Sequence, residues 1–125
     1  MSEEEKEEKT EQTKEKKEDL VSIKDVMKLD LRIAHITAVA DHPNADRLLV
    51  IHVKVGEEER RIVAGIKKAY TAEELIGKKI VMIVNLEPAV LRGVESQGML
   101  LAASDADDIA LLCPEKDIPS GSKVK

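Results

Sequence analysis

Apolar and polar residues alternate with a period of two over most of the chain beyond residue 28, the spacing of strands that bury one face. Leu29, Leu31 and Ile33 alternate with Asp30, Arg32 and Ala34, and the apolar phase then passes to Ile36, Ala38 and Ala40. A strand changes phase only through a bulge or bend, so one long coiled strand is expected here. The turn formers Asp41-His42-Pro43-Asn44 end it. Leu49, Ile51, Val53 and Val55 make the next apolar face, with Val50, His52 and Lys54 opposite, as far as the turn at Gly56-Glu57-Glu58-Glu59. A third strand from Arg60 to Gly65 completes a hairpin. A loop over Ile66 to Tyr70 leads to a helical turn at Ala72 to Ile76, started by Thr71 and stopped by Gly77. Ile80 to Val84 is apolar on both faces, as a central strand requires. A loop from Leu86 to Gln97, a strand from Met99 to Ala103, an acidic turn at Ser104 to Asp108 and a short strand at Ile109 to Leu112 finish the pattern.

At the amino end, Ser22 is placed to cap a short helix over Ile23 to Lys28. Its Ile23 and Val26 lie one turn apart and are expected to cover one end of the core. An all-β chain of five strands, with a helical turn between the third and fourth and a short N-terminal helix, has the order of a small five-stranded OB-type barrel. The rival is an open α+β sheet. Closure removes exposed edges, which matters in a chain with no Phe, no Trp and one Tyr, Tyr70. The core must therefore be built from Ile, Val, Leu and Met.

Charge divides the chain. Residues 1–19 hold nine acids and five lysines and no apolar residue besides Met1, so they are expected to form a charged, disordered tail. The whole chain has 25 acids and 20 bases, which leaves 16 acids and 15 bases for a near-neutral domain over residues 20–125. Global charge therefore gives no sign of a polyanion partner. Locally it does, since Arg47 to Arg92 carries nine bases (Arg47, Lys54, Arg60, Arg61, Lys67, Lys68, Lys78, Lys79, Arg92) against six acids. Cys113 is the only cysteine, so no intrachain disulfide forms and a zinc site of several thiolates is excluded. A reducing, cytoplasmic setting fits. No apolar run is longer than Ile80 to Val84, which is too short to span a bilayer.

In an OB barrel a ligand lies across strands two and three, between the loop after strand one and the loop after strand four. Those loops are Ala40 to Arg47 and Leu86 to Gln97, the two segments whose composition packing explains least. The segments Asp30-Leu31-Arg32-Ile33, His42-Pro43-Asn44-Ala45-Asp46-Arg47-Leu48, Ile62-Val63-Ala64-Gly65-Ile66, Leu75-Ile76-Gly77-Lys78-Lys79, Asn85-Leu86-Glu87-Pro88 and Ser96-Gln97-Gly98-Met99-Leu100-Leu101-Ala102 resemble, in order, the signatures of the tRNA-binding domain family. The resemblance runs from about Ser22 to the carboxyl end. It is nearest to the domain of bacterial and archaeal methionyl-tRNA synthetases, including its free-standing beta-subunit form.

That resemblance implies binding of the outer corner of tRNA by shape, homodimers supported by a C-terminal extension, and service to a methionyl-tRNA synthetase catalytic subunit. It carries Asn85, Arg92, Ser96 and Met99 over as tRNA contacts, with Lys78 and Lys79 on phosphates and Arg47, Lys54 and Arg61 as further candidates. One departure is Glu95 beside Ser96, where the family's loop is often more basic. The residue types agree independently: binders of unstructured single strands need aromatic platforms, which this chain lacks, whereas folded RNA is held through phosphates and 2′-hydroxyls by Lys, Arg, Ser and Asn.

Other chemistries find less support. Ser96 has no Gly two places before it and no histidine after it, and no phosphate-binding glycine loop is present, so no catalytic constellation is expected. His35, His42 and His52 lie on different expected elements, which argues against a metal site, and no cofactor is called for. The alternative is a protein-binding module of the same fold, chaperone or scaffold, against which the His42 to Asp46 and Gly98 to Leu101 segments favour the tRNA-binding branch.

Overall fold

A computed structural model describes residues 19–125. The expected tail over residues 1–19 lies outside them except for its last residue.

The fold is built around β1 (Leu31–Asp41), whose eleven residues are long enough to pair with different partners along their length. β2 (Leu49–Val55) and β3 (Glu58–Ala64) form an antiparallel hairpin beside its second half, and β4 (Lys79–Ile83) pairs along its first half. The main sheet runs β3-β2-β1-β4-β7, where β7 is Met99–Leu100, and β10 (Lys123–Val124) lengthens the edge of β1 that β2 leaves free. Two small hairpins stand apart: β5 (Ala89–Leu91) with β6 (Val94–Ser96), and β8 (Ala102–Asp105) with β9 (Asp108–Leu111). The helices are α1 (Ile23–Met27), capped by Ser22, and α2 (Ala72–Leu75). α2 begins with a capping box between Thr71 and Glu74.

The curled sheet has the architecture of an OB-like barrel. Side chains at alternate positions fill it: Ala34 and Ile36 from β1, Leu49, Ile51 and Val53 from β2, Ile62 and Ala64 from β3, Ile80 and Met82 from β4, and Leu75 from α2. Each large aliphatic residue taken out of water here contributes about 1.5–3 kcal/mol. The register of β1 against β2 slips between Ile36 and Ala38, so a bulge falls at Thr37 and Val39 takes up the inward phase against Ile51. The expected bulge exists, but beyond Ile36 rather than before it. Ile33 is buried although Ala34 and Ile36 own the inner face, because the C-terminal segment covers it: its N–H donates to the Ser122 carbonyl and its carbonyl accepts from the Gly121 N–H.

Closure between β3 and the segment leading into β7 is made by individual polar contacts. The Gln97 N–H donates to the Arg61 carbonyl (2.8 Å), the Gln97 Oε1 accepts from the Arg61 N–H (2.9 Å), and the Ser96 Oγ accepts from the Val63 N–H (3.0 Å). Gly98 comes so close to β4 that a Cβ would stand 2.9 Å from the Ile83 carbonyl oxygen. Arg60, counted above among surface bases, turns into the barrel end and donates to the carbonyls of Val84 (2.6 Å) and Gln97 (3.2 Å).

Two expectations are corrected. α1 buries nothing: Ile23 is 72% exposed and Val26 44% exposed. The helix is held through its C-terminal backbone by Asn85, and none of its apolar side chains is buried. The stretch from Leu86 to Gln97, expected to be a loop, contains the β5–β6 hairpin, because its three-residue strands are too short to register as a period.

Candidate nucleic-acid interface

The outward face of β2 and β3 carries the polar members of the alternation. Cross-strand pairing sets Lys54 opposite Glu59 and His52 opposite Arg61, and on β1 it sets His35 beside Lys54. A recess of about 320 Å³ lies between Thr37 and the β2–β3 wall, lined by His52, Val53, Glu59, Arg60, Arg61 and Gln97. Arg61 does not stand free: its Nε donates to the Glu95 carbonyl (3.0 Å) and its Nη2 lies 4.0 Å from the Glu95 carboxylate. This contact ties the β2–β3 wall to the base of the β5–β6 hairpin.

The tip of that hairpin is a two-residue turn in which Arg92 and Gly93 both have positive φ, 54° and 92°. Such turns favour Asn-Gly, because an arginine in left-handed backbone costs about 1–2 kcal/mol. An exposed cation kept in an unfavourable conformation points to use rather than to packing. The tip meets the loop after β1: the Arg92 Nη2 donates to the Asn44 carbonyl (3.3 Å) and the Asn44 Nδ2 donates to the Arg92 carbonyl (3.4 Å). Arg47 is exposed in that same loop, and its carbonyl accepts from the Lys67 N–H (3.4 Å). Lys67 in turn pairs with Asp41 (3.4 Å). One corner of the barrel thus gathers Arg47, Lys67 and Arg92, and it continues through Glu95 and Arg61 onto the wall that holds Lys54.

The nine residues singled out by sequence divide accordingly. Arg47, Lys54, Arg61 and Arg92 share this connected surface. Among the described residues Arg47, Lys54, Lys78 and Arg92 have no carboxylate partner. Lys79 lies one strand beyond His35 in the Lys54 row, but its ammonium is engaged by Asp117 (2.8 Å) and the Ile118 carbonyl (2.8 Å). That hydrogen bond and charge hold the Asp117 carboxyl below its ordinary range. Lys78 precedes β4, where its carbonyl accepts from the Ile36 N–H. Asn85 spends its amide on the backbone, accepting from the Asp30 N–H (2.8 Å) and donating to the Lys28 carbonyl (2.7 Å), so it joins α1 to β1. Ser96 is 5% exposed, and its hydroxyl is consumed between Val63 and the Gly98 carbonyl. Met99 is 48% exposed, on β7 opposite Ile83 and away from the corner.

By sequence His42 is a turn former and the first residue of a family segment, with no contact role assigned to it. It is 5% exposed and bonded through both ring nitrogens, to the Leu91 carbonyl and the Asn44 N–H, each at 2.9 Å. Its place immediately after a strand and before Pro43 was the available signal. Among the described residues no group of three or more His, Cys, Asp or Glu gathers as metal ligands would, and no helix is long and apolar enough to cross a membrane.

Residues 31–123 match the family model described as "Putative tRNA binding domain". The methionine–tRNA ligase of Pyrococcus horikoshii is 52% identical over 107 residues, which are 86% of this chain and 15% of that enzyme. Among solved structures, a MetRS related protein from Pyrococcus horikoshii matches with a TM-score of 0.79 at 33% identity, over 85% of this chain and 98% of that one. The chaperone CsaA from Bacillus anthracis matches with a TM-score of 0.77 at 31% identity, over 85% of this chain and 99% of that one. The chain therefore spans about one seventh of the length of the methionine–tRNA ligase it matches, and nearly all of the two smaller proteins.

Proposed function

The chain belongs to the tRNA-binding domain family, and from that membership we propose that it binds folded tRNA by shape and charge, without regard to base sequence, as an auxiliary module of methionyl-tRNA synthetase. It performs no chemistry of its own. Tethered to or associated with a synthetase in the cytoplasm, it raises the local concentration of tRNA near the catalytic body. The observation that carries this function is the corner where Arg92, held in left-handed backbone at a hairpin tip, stands beside the loop of Arg47. From there the contact surface runs over Arg61 to Lys54. Lys78 and Met99 extend it toward β4 and β7, while Lys79, Asn85 and Ser96, whose polar groups are already bonded within the protein, build the domain rather than touch the RNA. Residues 20–125 form the folding unit, with residues 1–19 as a solubilising arm.

Cationic contacts on phosphates release counterions, so affinity falls steeply with salt, each phosphate adding about 0.9 to the log–log slope on a duplex. Filter binding of labelled unfractionated tRNA between low and moderate salt tests this; a flat response contradicts it. Arg92→Ala should weaken all tRNAs alike. Loss confined to one isoacceptor would mean that bases, not shape, are read.

The C-terminal extension expected to support a homodimer lies against β1 through Gly121, Ser122 and β10, so two copies are proposed to associate instead through the apolar side chains that α1 and its flanks leave exposed, Leu20, Val21, Ile23 and Met27, each at least 65% exposed. Sedimentation at several concentrations decides it, with a persistent 13.8 kDa species as the contrary result. The same exposed patch and the likeness to the chaperone CsaA favour a second function, the capture of unfolded protein. Suppression of client aggregation, without salt-sensitive tRNA binding, would establish that one instead.

A further inference from the structure

The β5–β6 hairpin that carries Arg92 has three-residue strands, and every residue of β5 is exposed. A two-stranded ribbon of this size is not stable by itself in water. Its base is held by the Ser96 hydroxyl and by Arg61. Its tip depends on the loop after β1, and there the strongest bond comes from a buried imidazole.

His42 Nδ1 accepts from the Asn44 N–H at 2.9 Å, and a backbone amide can only donate, so Nδ1 carries no proton. The proton of the neutral ring therefore sits on Nε2, which donates to the Leu91 carbonyl at 2.9 Å, forty-nine residues away in sequence. One nitrogen shapes the loop and the other fastens it to the hairpin, directly before the Arg92-Gly93 turn. The exposed Asn44–Arg92 contacts at 3.3 and 3.4 Å are long and weak beside it. The charged groups around this joint are the Asp41–Lys67 pair, Asp46 and Arg47 in the loop, and Arg92 and Glu95 on the hairpin, while His42 itself is sealed.

From this geometry we infer that His42 is a positioning residue for RNA: it makes the loop after β1 and the β5–β6 hairpin one rigid unit, and so fixes the spacing of Arg47 and Arg92 before tRNA arrives. This deepens the proposed tRNA-binding function and rests on it. Free of the latch, the two cations would move on separate segments and lose part of their binding to ordering.

The side-chain lengths of the two amides separate the roles of the ring nitrogens. In His42→Asn the Oδ1 stands near the place of Nδ1 and keeps the bond to the Asn44 N–H, but nothing reaches Leu91. In His42→Gln the Nε2 reaches as far as the imidazole Nε2 and restores the donor to Leu91. For His42→Asn, tRNA affinity by filter binding should fall about fivefold, the order of one lost hydrogen bond, with His42→Gln within about twofold of the parent. Amide hydrogen exchange at Val90 to Glu95 should accelerate in His42→Asn and not in His42→Gln. Unchanged exchange in His42→Asn overturns the latch. Faster exchange with unchanged affinity overturns its role in RNA binding. If the parent protein binds no tRNA, the proposed function fails, while the exchange data still judge the latch. Should His42→Asn fail to fold, long-range proton–nitrogen NMR of the parent ring reads the joint without a variant: an Nε2–H tautomer whose ring proton exchanges slowly is expected, and an Nδ1–H tautomer or a rapidly exchanging ring proton overturns the inference.

Discussion

Replacing Ser96 by Ala separates a residue that touches RNA from one that builds the surface RNA touches. The hydroxyl is 5% exposed, accepts from the Val63 N–H at 3.0 Å and donates to the Gly98 carbonyl at 3.1 Å. Alanine fits the space and leaves both backbone groups without that partner. A buried donor left unpaired costs about 1–3 kcal/mol, and the Gly98 carbonyl, with a second lone pair available, adds little, so a loss of about 2 kcal/mol is expected. For a domain of this size each kcal/mol lowers the melting temperature by about 4–8 °C, which places the midpoint about 8–16 °C below the parent. Thermal unfolding by circular dichroism measures this, and tRNA titration at 20 °C, where the variant stays folded, measures function. The barrel seam should weaken while Kd stays within about twofold, since the hydroxyl has no path to a ligand and Arg61 and His42 still hold the hairpin that bears Arg92. A melting temperature within about 2 °C of the parent, joined to a marked loss of tRNA affinity, would refute the seam and restore Ser96 as a direct contact.

Arg92→Asn places at the hairpin tip the residue its left-handed backbone favours, so stability should rise by about 0.5–1 kcal/mol in urea unfolding while tRNA affinity falls, opposite signs that a purely structural arginine would not give. Gly98→Ala drives a methyl group into Met82 and to 2.9 Å from the Ile83 carbonyl, and a loss of about 2–4 kcal/mol in the same assay is expected. Ile62→Ala, at a fully buried position of the core, should cost about 2–5 kcal/mol without altering Kd below the transition. Asp30 is held below the ordinary carboxylate range by its hydrogen bond to Arg32 and by the charges of Arg32 and Lys123. Its folded pKa being the lower one, its contribution is complete above the ordinary value and is lost as pH falls through the depressed one. The melting-temperature gap between the parent and Asp30→Asn should therefore be open at pH 6, begin to narrow only below about pH 4 and close once pH falls beneath the depressed pKa, and a gap independent of pH would contradict the pairing.

Much of the barrel was written in local pattern. Alternation located β1 to β4, turn chemistry located the breaks at His42 to Asn44 and at Gly56, and the Ser22 and Thr71 caps mark the helix starts. The phase change read in β1 foretold an irregular strand but not the place of its bulge, which falls later, at Thr37, while ordered motifs from Asp30 to Ala102 announced the family. Periodicity succeeds there because it records which side of a strand meets the core, a property fixed within a few residues.

The fates of the polar candidates belong to another scale. Lys79, Asn85 and Ser96 looked as suited to phosphate or ribose as Arg47 and Arg92 did, yet the first three meet partners 33 to 57 residues away in sequence: Asp117, Lys28, Asp30 and Val63. Only closure of the barrel brings those groups within hydrogen-bonding distance. His42 is the converse, a turn residue by local pattern that tertiary structure converts into a joint by delivering the Leu91 carbonyl to its ring. Sequence determined which residues are polar and which strand they sit on; tertiary structure decided which were left to face solvent, because a hydrogen bond depends on where its partner ends up, and no local period carries that.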